Sequence, residues 1–155
     1  MEEVLCILEE QQRYAKLSKC EFGLTEMLYL GHVIREDGVK VHQEKIRAIL
    51  DWPTPRNLTK MKGFLGICTY YRRFVRGFSQ LAAPLTNLTK REAFVWTQVV
   101  EEAFTCLKGV MSSCPPLALS DFTRPFVLEC DASNEGIRAI LTQRDHPIAF
   151  ERRKL

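Results

Sequence analysis

The spacing of the apolar residues changes twice along this 155-residue chain, and these changes constrain the fold more than the composition does. The first part has short apolar runs typical of strands after an N-terminal amphipathic helix. The middle part has the three- and four-residue spacing of helices, and the last part returns to short strands. The sequence therefore predicts an α+β fold in three segments: 1–41, a helix and a β-hairpin or small meander; 42–114, a set of helices; and 115–155, a three-stranded antiparallel meander.

Capping and turn residues indicate where the elements end. Asp37-Gly38 is a hairpin turn signal. Asn57 is a good N-cap for a helix that we predict to run to about Phe74. A turn is predicted over Asp131–Gly136, between the first two strands of the meander. Because three strands without a covering helix do not make a domain, we interpret the C-terminal end as the opening of a larger fold that has been cut.

The charges are distributed unevenly. The forty residues from Trp52 to Arg91 contain eight basic side chains and no Asp or Glu, so this segment carries +8 and the rest of the chain −5. Such asymmetry is typical of a solvated basic face, and it also fits a polyanionic partner. The aromatic residues Phe64, Tyr70, Tyr71, Phe74 and Phe78 in the same stretch favour nucleic acid as that partner.

The composition excludes several classes of protein. With 46% hydrophobic and 26% charged residues, the chain is neither disordered nor collagenous. No apolar run approaches the roughly 18 residues that a membrane span needs. The first ten residues hold four glutamates and no basic group, which argues against a secretory signal. Six cysteines without a CxxC pair are expected to be reduced thiols, and the histidines lack spaced cysteine partners for zinc. We expect an intracellular protein, with cytoplasm and nucleus not distinguished.

Three groups of motifs occur in order along the chain. The first is Leu17-Ser18-Lys19-Cys20-Glu21-Phe22, Leu30-Gly31-His32-Val33-Ile34 and Trp52-Pro53; the second is Phe64-Leu65-Gly66, Tyr70-Tyr71-Arg72-Arg73-Phe74, Ala83-Pro84-Leu85 and Phe94-Val95-Trp96-Thr97; the third is Pro125-Phe126-Val127-Leu128-Glu129-Cys130-Asp131-Ala132-Ser133, Gly136-Ile137 and His146-Pro147-Ile148-Ala149. As an ordered set they resemble the gypsy-type LTR-retrotransposon Pol polyprotein. The resemblance implies that 1–41 is the end of the reverse-transcriptase palm, 42–114 the thumb and connection, and 115–155 a truncated, RNase H-like β-meander.

The resemblance also implies which catalytic groups are missing. The complete parent enzyme uses Mg²⁺ bound by paired aspartates for DNA synthesis, and this sequence contains no Asp-Asp pair. Asp131 matches the first of about four RNase H carboxylates, so it is the one catalytic and metal-ligand candidate, and a lone carboxylate binds Mg²⁺ weakly at best. Arg138 departs from the small residue usual in the family. We therefore expect no cofactor for this chain alone.

The resemblance implies a set of nucleic-acid-binding residues. A primer-grip-like hairpin would hold a primer end, and Gly66 and Tyr70, one helical turn apart, would face a duplex groove. Arg72 and Arg76, at i and i+4, would share a helix face and contact phosphates. The alternative interpretations are a β-bulge with an exposed strand histidine, and a tyrosine packed in the core. The full set is Leu30, Gly31, His32, Lys60, Lys62, Gly66, Tyr70, Arg72, Arg73 and Arg76.

Three hypotheses for function remain open at this point. The first is a fragment or truncated derivative of a reverse transcriptase/RNase H that is not catalytic by itself and binds RNA–DNA hybrid or duplex non-specifically. The second is a domesticated protein–protein interaction module, with a homo-oligomer or another protein as partner. The third is a part of a complete RNA-directed DNA polymerase and RNase H polyprotein. None of the three involves a membrane.

Overall fold

The computed structural model describes residues 2–90, 94–134 and 136–154. Arg91, the last of the eight basic residues, lies outside them, as do the two chain ends. The described part is α+β, with five α-helices and two three-stranded antiparallel sheets. The elements in chain order are α1 (Glu2–Glu10), β1 (Glu26–Tyr29), β2 (His32–Arg35), β3 (Gly38–Val41), α2 (Gln43–Leu50), α3 (Leu58–Tyr70), α4 (Phe78–Leu88), α5 (Gln98–Ser112), β4 (Val127–Ser133), β5 (Gly136–Gln143) and β6 (His146–Lys154).

The hydrophobic core lies among helices α2 to α5. Each helix presents apolar residues at helical spacing toward its neighbours, and burying a large apolar side chain contributes about 1.5–3 kcal/mol. At the centre, the rings of Phe64 on α3 and Phe104 on α5 lie 4.6 Å apart between centroids. The fully buried large side chains are Tyr71, Phe64, Phe74, Ile49, Met61, Leu85, Leu107, Met111 and Cys68. Since most of these come from α3 and the segment after it, the core fixes the end of α3 firmly.

The first sheet has the order β1-β2-β3. The predicted Asp37-Gly38 turn is confirmed, because Arg35 pairs with Gly38 across the β2–β3 hairpin. Gly38 has a φ of 142°, and a Cβ there would collide with the carbonyl of Leu117. That close approach allows a backbone bridge between Val39 and Leu117, so the first sheet is joined to the segment that precedes the second sheet.

The second sheet has the order β4-β5-β6 and is attached to the helices through β6. Phe150 packs against the helical core, and the Ala118 amide donates to the Pro147 carbonyl at 2.9 Å. The predicted turn over Asp131–Gly136 is wrong. Asp131 lies within β4, directly opposite Arg138 on β5, because the strand pairing continues to Ser133 and leaves a much shorter turn.

The N-terminal helix ends at Glu10, and none of its residues is buried. Its apolar side chains Val4, Leu5 and Ile7 are all more than half exposed. Within the described residues, no helix combines the length and apolar character needed to cross a bilayer.

Candidate nucleic-acid interface

The tip of the β1–β2 hairpin is a two-residue turn in which both residues have left-handed backbones. Leu30 has a φ of 49° and Gly31 a φ of 77°. Tyr29 and His32 pair on either side of the turn. The Gly31 carbonyl accepts from the His42 amide at 3.0 Å, which joins the tip to the start of α2. The tip is therefore held from the α2 side by a backbone hydrogen bond.

Two tyrosine hydroxyls hold the same tip from the other side. Tyr70, at the end of α3, donates to the Leu30 carbonyl at 2.9 Å, and Tyr71 donates to the Gly31 carbonyl at 3.2 Å. A Cβ on Gly31 would lie 2.5 Å from the Tyr71 hydroxyl oxygen, which is too close for any real contact. Burial, with the neighbouring Tyr70, raises the pKa of Tyr71, so its hydroxyl stays protonated as a donor. Glycine is thus required at position 31 for two reasons: the left-handed backbone conformation and the close approach of the Tyr71 hydroxyl.

His32 lies inside the structure, at 6% exposure, and not on the surface of the strand. Its ring is surrounded by those of Tyr70, Tyr71 and Phe74 at centroid distances of 5.3–5.6 Å. Burial lowers its pKa; the bond between Nδ1 and the Leu30 carbonyl acts in the opposite direction, and the charge of Arg73 lowers the pKa further. The ring is therefore neutral, and its Nδ1–H donates to the Leu30 carbonyl. It packs beneath the hairpin tip, so the alternative interpretation of His32 as an exposed strand residue is wrong.

The exposed face of α3 carries Gly66 and Tyr70 one helical turn apart, as the spacing predicted. Tyr70 is 53% exposed, although its hydroxyl is used by the hairpin. A Cβ at Gly66 would meet no atom within 4 Å, so the space above this residue is open. Lys60 and Lys62 are exposed near the start of the same helix, whose N-cap Asn57 accepts from the Lys60 amide at 2.9 Å.

The three arginines after α3 do not lie on one surface. The helix ends at Tyr70 and not at Phe74, and a 3₁₀ turn over Arg72–Phe74 follows, so Arg72 and Arg76 do not share an α-helical face as predicted. Both instead line a cleft between the helices and the second sheet, where Arg72 pairs with Glu151 at 3.3 Å. Arg73 lies beside Tyr70 and His32, with its guanidinium 5.4 Å from the Phe74 ring centroid.

Comparisons with known proteins agree with this geometry. Residues 96–155 match the RNase H-like domain found in reverse transcriptase. The chain is 44% identical over 126 residues to the uncharacterized mitochondrial protein AtMg00860 of Arabidopsis thaliana, covering 80% of each. It is 40% identical over 142 residues to the Pol polyprotein of the Drosophila melanogaster transposon 297, and 32% identical over 163 residues to that of transposon gypsy. The chain belongs to the retrotransposon Pol family.

The Pol relatives are much longer than this chain. The match covers 90% of the chain but 13% of the transposon 297 polyprotein, and 97% of the chain but 16% of the gypsy polyprotein. The fold is also that of foamy viral protease–reverse transcriptase: its complex with double-stranded DNA matches 99% of the chain and 28% of that protein at a TM-score of 0.82 and 25% identity. Its complex with an RNA/DNA hybrid matches 100% of the chain and 23% of that protein at a TM-score of 0.81 and 23% identity.

The Pol-family position Asp131 does not have the surroundings of a two-metal site. Its carboxylate is largely exposed, and its cross-strand neighbour Arg138 brings a guanidinium to 3.9 Å. Among the described residues, no three His, Cys, Asp or Glu side chains are grouped so that they could hold a metal ion. These residues therefore do not fit the Mg²⁺ centre that the parent enzyme needs, and no catalytic step can be derived through it.

The sequence reasoning missed one basic residue at the hairpin tip. Lys45 on α2 lines a hollow together with Gly31, Ile67 and the two tyrosines. Its Cε would lie 3.6 Å from a Cβ on Gly31. Lys45 precedes the acid-free segment and follows Glu44, so its charge is not conspicuous in the sequence. Lys45 is four residues from the fully buried Ile49, so helical spacing alone would place it near the core face and does not predict its exposure at the tip.

Proposed function

We propose that this Pol-family chain binds template–primer-like nucleic acid, an RNA–DNA hybrid or a duplex, without sequence preference and without catalysis of its own. The binding surface is the hairpin tip with the exposed face of α3. Its main residues are Leu30, Gly31, Gly66, Tyr70 and Arg73, with Lys60 and Lys62 contributing charge. The observation that carries the proposal is the open space above Gly66, next to an exposed tyrosine in an acid-free segment.

Gly66 is costly to the isolated helix. Glycine in a helix interior is about 1 kcal/mol less favourable than alanine, and here neither a positive φ nor a neighbouring atom requires it. A residue without a side chain at such a position permits another molecule to approach the helix backbone closely. The adjacent Tyr70 ring and the Arg73 guanidinium suit a sugar–phosphate backbone, because they offer a flat apolar surface and a cation.

The relatives support this choice of partner. The two foamy viral structures are complexes with double-stranded DNA and with an RNA/DNA hybrid, and this chain shares their fold over nearly its whole length. Phosphate contacts are independent of sequence and weaken as salt rises. We expect a dissociation constant on the order of micromolar or weaker at physiological salt, as for non-specific binding generally.

The absence of catalysis is the second part of the proposal. The sequence has no Asp-Asp pair, and Asp131 is opposed by Arg138 in place of further carboxylates. Pure protein with Mg²⁺ or Mn²⁺ should neither extend a primer nor cleave a hybrid. Hybrid cleavage that is lost in the Asp131→Asn variant prepared in the same way would refute this part, as would primer extension that follows the pure protein through every purification step. The polymerase and RNase H activities of a complete Pol polyprotein would require the longer chain.

Binding can be tested by titrating a labelled RNA–DNA hybrid at two salt concentrations with two pairs of matched variants. Arg73→Ala should weaken binding, whereas Arg72→Ala, one residue away on the opposite side, should not. Gly66→Gln should weaken binding at least tenfold, whereas Gly109→Gln should leave it unchanged. Gly109 is the matched control because it is also a helical glycine whose Cβ would meet nothing within 4 Å. No binding by wild type at low salt, or equal effects within both pairs, would refute the proposal.

A second candidate function rests on the N-terminal surface. Helix α1 has nine residues, none buried, and such a short helix is marginal in water without a partner. The Arabidopsis relative matches over 80% of both chains, so a protein of nearly equal length exists in this family. An interaction module in which a second copy packs against α1 would cover the exposed residues of this helix. Light scattering on wild type and on Val4→Lys/Ile7→Lys would show a concentration-dependent dimer that the variant loses.

A further inference from the structure

Two hollows flank the tip of the β1–β2 hairpin, and the same two residues separate them. One hollow is lined by Tyr29, Leu30, His32, Ile34, Val39, Tyr70 and Arg73, and the other by Leu30, Gly31, Lys45, Ile67, Tyr70 and Tyr71. Leu30 and Tyr70 occur in both sets. They form a ridge, which we call the Leu30–Tyr70 ridge, with one hollow on each side.

Each hollow contains one permanently charged cation and no acid. Arg73 lines the first hollow and Lys45 the second. Among the described residues, neither forms an ion pair with an Asp or Glu, in contrast to Arg72, which is paired with Glu151. Two cations without counter-charges on opposite sides of one ridge repel each other weakly and attract an anion on each side.

The ridge itself is strained and exposed. Leu30 adopts the left-handed conformation at a φ of 49°, which is unfavourable for a residue with a side chain, and it is 68% exposed. A leucine there has neither the local hydrogen bonding of Asn or Asp nor the freedom of Gly. An apolar side chain kept in such a conformation and left in solvent is typical of a contact site.

We infer that Lys45 is an additional phosphate-binding residue at the hairpin tip, on the side of the Leu30–Tyr70 ridge away from Arg73. A sugar and base would pack on the ridge, and the phosphates on either side would lie against Lys45 and Arg73. The inference rests on the proposed function and adds to it a second phosphate contact from α2, outside the acid-free segment.

The surrounding hydrogen bonds keep this site in one shape. Tyr70 is bonded to the Leu30 carbonyl, Tyr71 to the Gly31 carbonyl, and the His42 amide also donates to Gly31. The ridge is thus bonded to α3 and to the start of α2, the helix that carries Lys45. A site that is already ordered loses little conformational entropy when the strand binds.

The test compares Lys45→Ala with Arg47→Ala. Both residues are exposed, lie on α2 and lose one positive charge, but only Lys45 lines the hollow. With the RNA–DNA hybrid, Lys45→Ala should weaken binding several-fold at low salt and reduce the slope of log K against log salt by about 0.9, the value for one phosphate contact. Arg47→Ala should leave both quantities close to wild type.

Uncharged phosphates provide the strand assignment. Two consecutive phosphates are replaced by methylphosphonates, and the replaced pair is moved stepwise along one strand of the hybrid and then along the other. At one position on one strand only, wild type and Lys45→Ala should bind the modified hybrid equally well. If wild type binds and Arg73→Ala weakens binding, but Lys45→Ala matches Arg47→Ala, the inference is wrong while the proposed function stands. If wild type does not bind at all, the proposed function fails first.

Discussion

The contact between Gly31 and Tyr71 makes a quantitative prediction about stability. Gly31→Ala places a Cβ in a left-handed backbone at a φ of 77°, which costs about 1–2 kcal/mol. The Cβ would also lie 2.5 Å from the Tyr71 hydroxyl oxygen, so the tyrosine must move and lose its hydrogen bond, worth about 0.5–1.5 kcal/mol. We expect Gly31→Ala to lower the free energy of unfolding by about 1.5–3.5 kcal/mol.

Removing the hydroxyl should relieve part of this cost. Tyr71→Phe alone should cost about 1 kcal/mol, because the Gly31 carbonyl keeps its bond from the His42 amide at 3.0 Å. In the double variant the Cβ no longer meets the oxygen, and the lost hydrogen bond is counted once. The double variant should therefore be about 1 kcal/mol more stable than the sum of the single effects predicts, a coupling that a double-mutant cycle resolves.

Urea unfolding followed by circular dichroism measures these differences, and Gly23→Ala is the matched control. Gly23 also has a left-handed φ, 67°, but its Cβ would meet nothing within 4 Å. Gly23→Ala should cost only the backbone strain, about 1–2 kcal/mol, whether residue 71 is Tyr or Phe. The reasoning is refuted if Gly31→Ala costs no more than Gly23→Ala, or if the cycle with Tyr71→Phe is additive within about 0.5 kcal/mol.

Two further predictions concern titratable groups. Burial lowers the pKa of His32, so the unfolded chain takes up a proton more readily than the folded chain. The free energy of unfolding should therefore reach its full value above pH 6.5 and decline as the pH falls below it. Urea midpoints measured at pH 7.5 and 5.5 should show this decline in wild type and a smaller one in His32→Phe. Burial raises the pKa of Cys68 to about 12 and that of Cys114 to about 11, whereas Cys6, Cys106 and Cys130 are exposed. At pH 8, Ellman's reagent should modify these exposed thiols rapidly and Cys68 and Cys114 only on unfolding; rapid modification of all six in folded protein would contradict the structure.

Local signals in the sequence predicted much of the secondary structure. The Asn57 cap and the Asp37-Gly38 turn were predicted and are confirmed. The end of α3 was not, because Tyr71 leaves the helix with a φ of −98° and a ψ of 11°, although the residues that follow are compatible with helix. The chain turns there so that Phe74 and Val75 enter the core, and burial of that kind depends on other helices.

The candidate interface could be predicted only where it lies on one element. The shared face of Gly66 and Tyr70 follows from helical spacing alone. The burial of His32 does not, because it results from tyrosines about forty positions later in the chain that bond to the hairpin tip. For the same reason the contribution of Lys45 appears only when α2, α3 and the hairpin are brought together.

The basic segment shows why a count of charges overestimates a binding surface. Adjacent arginines at the end of α3 have different roles: Arg73 lies at the hairpin tip, and Arg72 pairs with Glu151 of the second sheet. Arg76 lines the same cleft as Arg72, which also contains Glu129 and Asp131. Both carboxylates belong to strand β4, so the second sheet offsets charge that the linear sequence assigns to an external partner. The 3₁₀ turn that ends α3 therefore divides the basic residues between an internal contact and the proposed strand site, and the Arg72→Ala and Arg73→Ala pair separates the two.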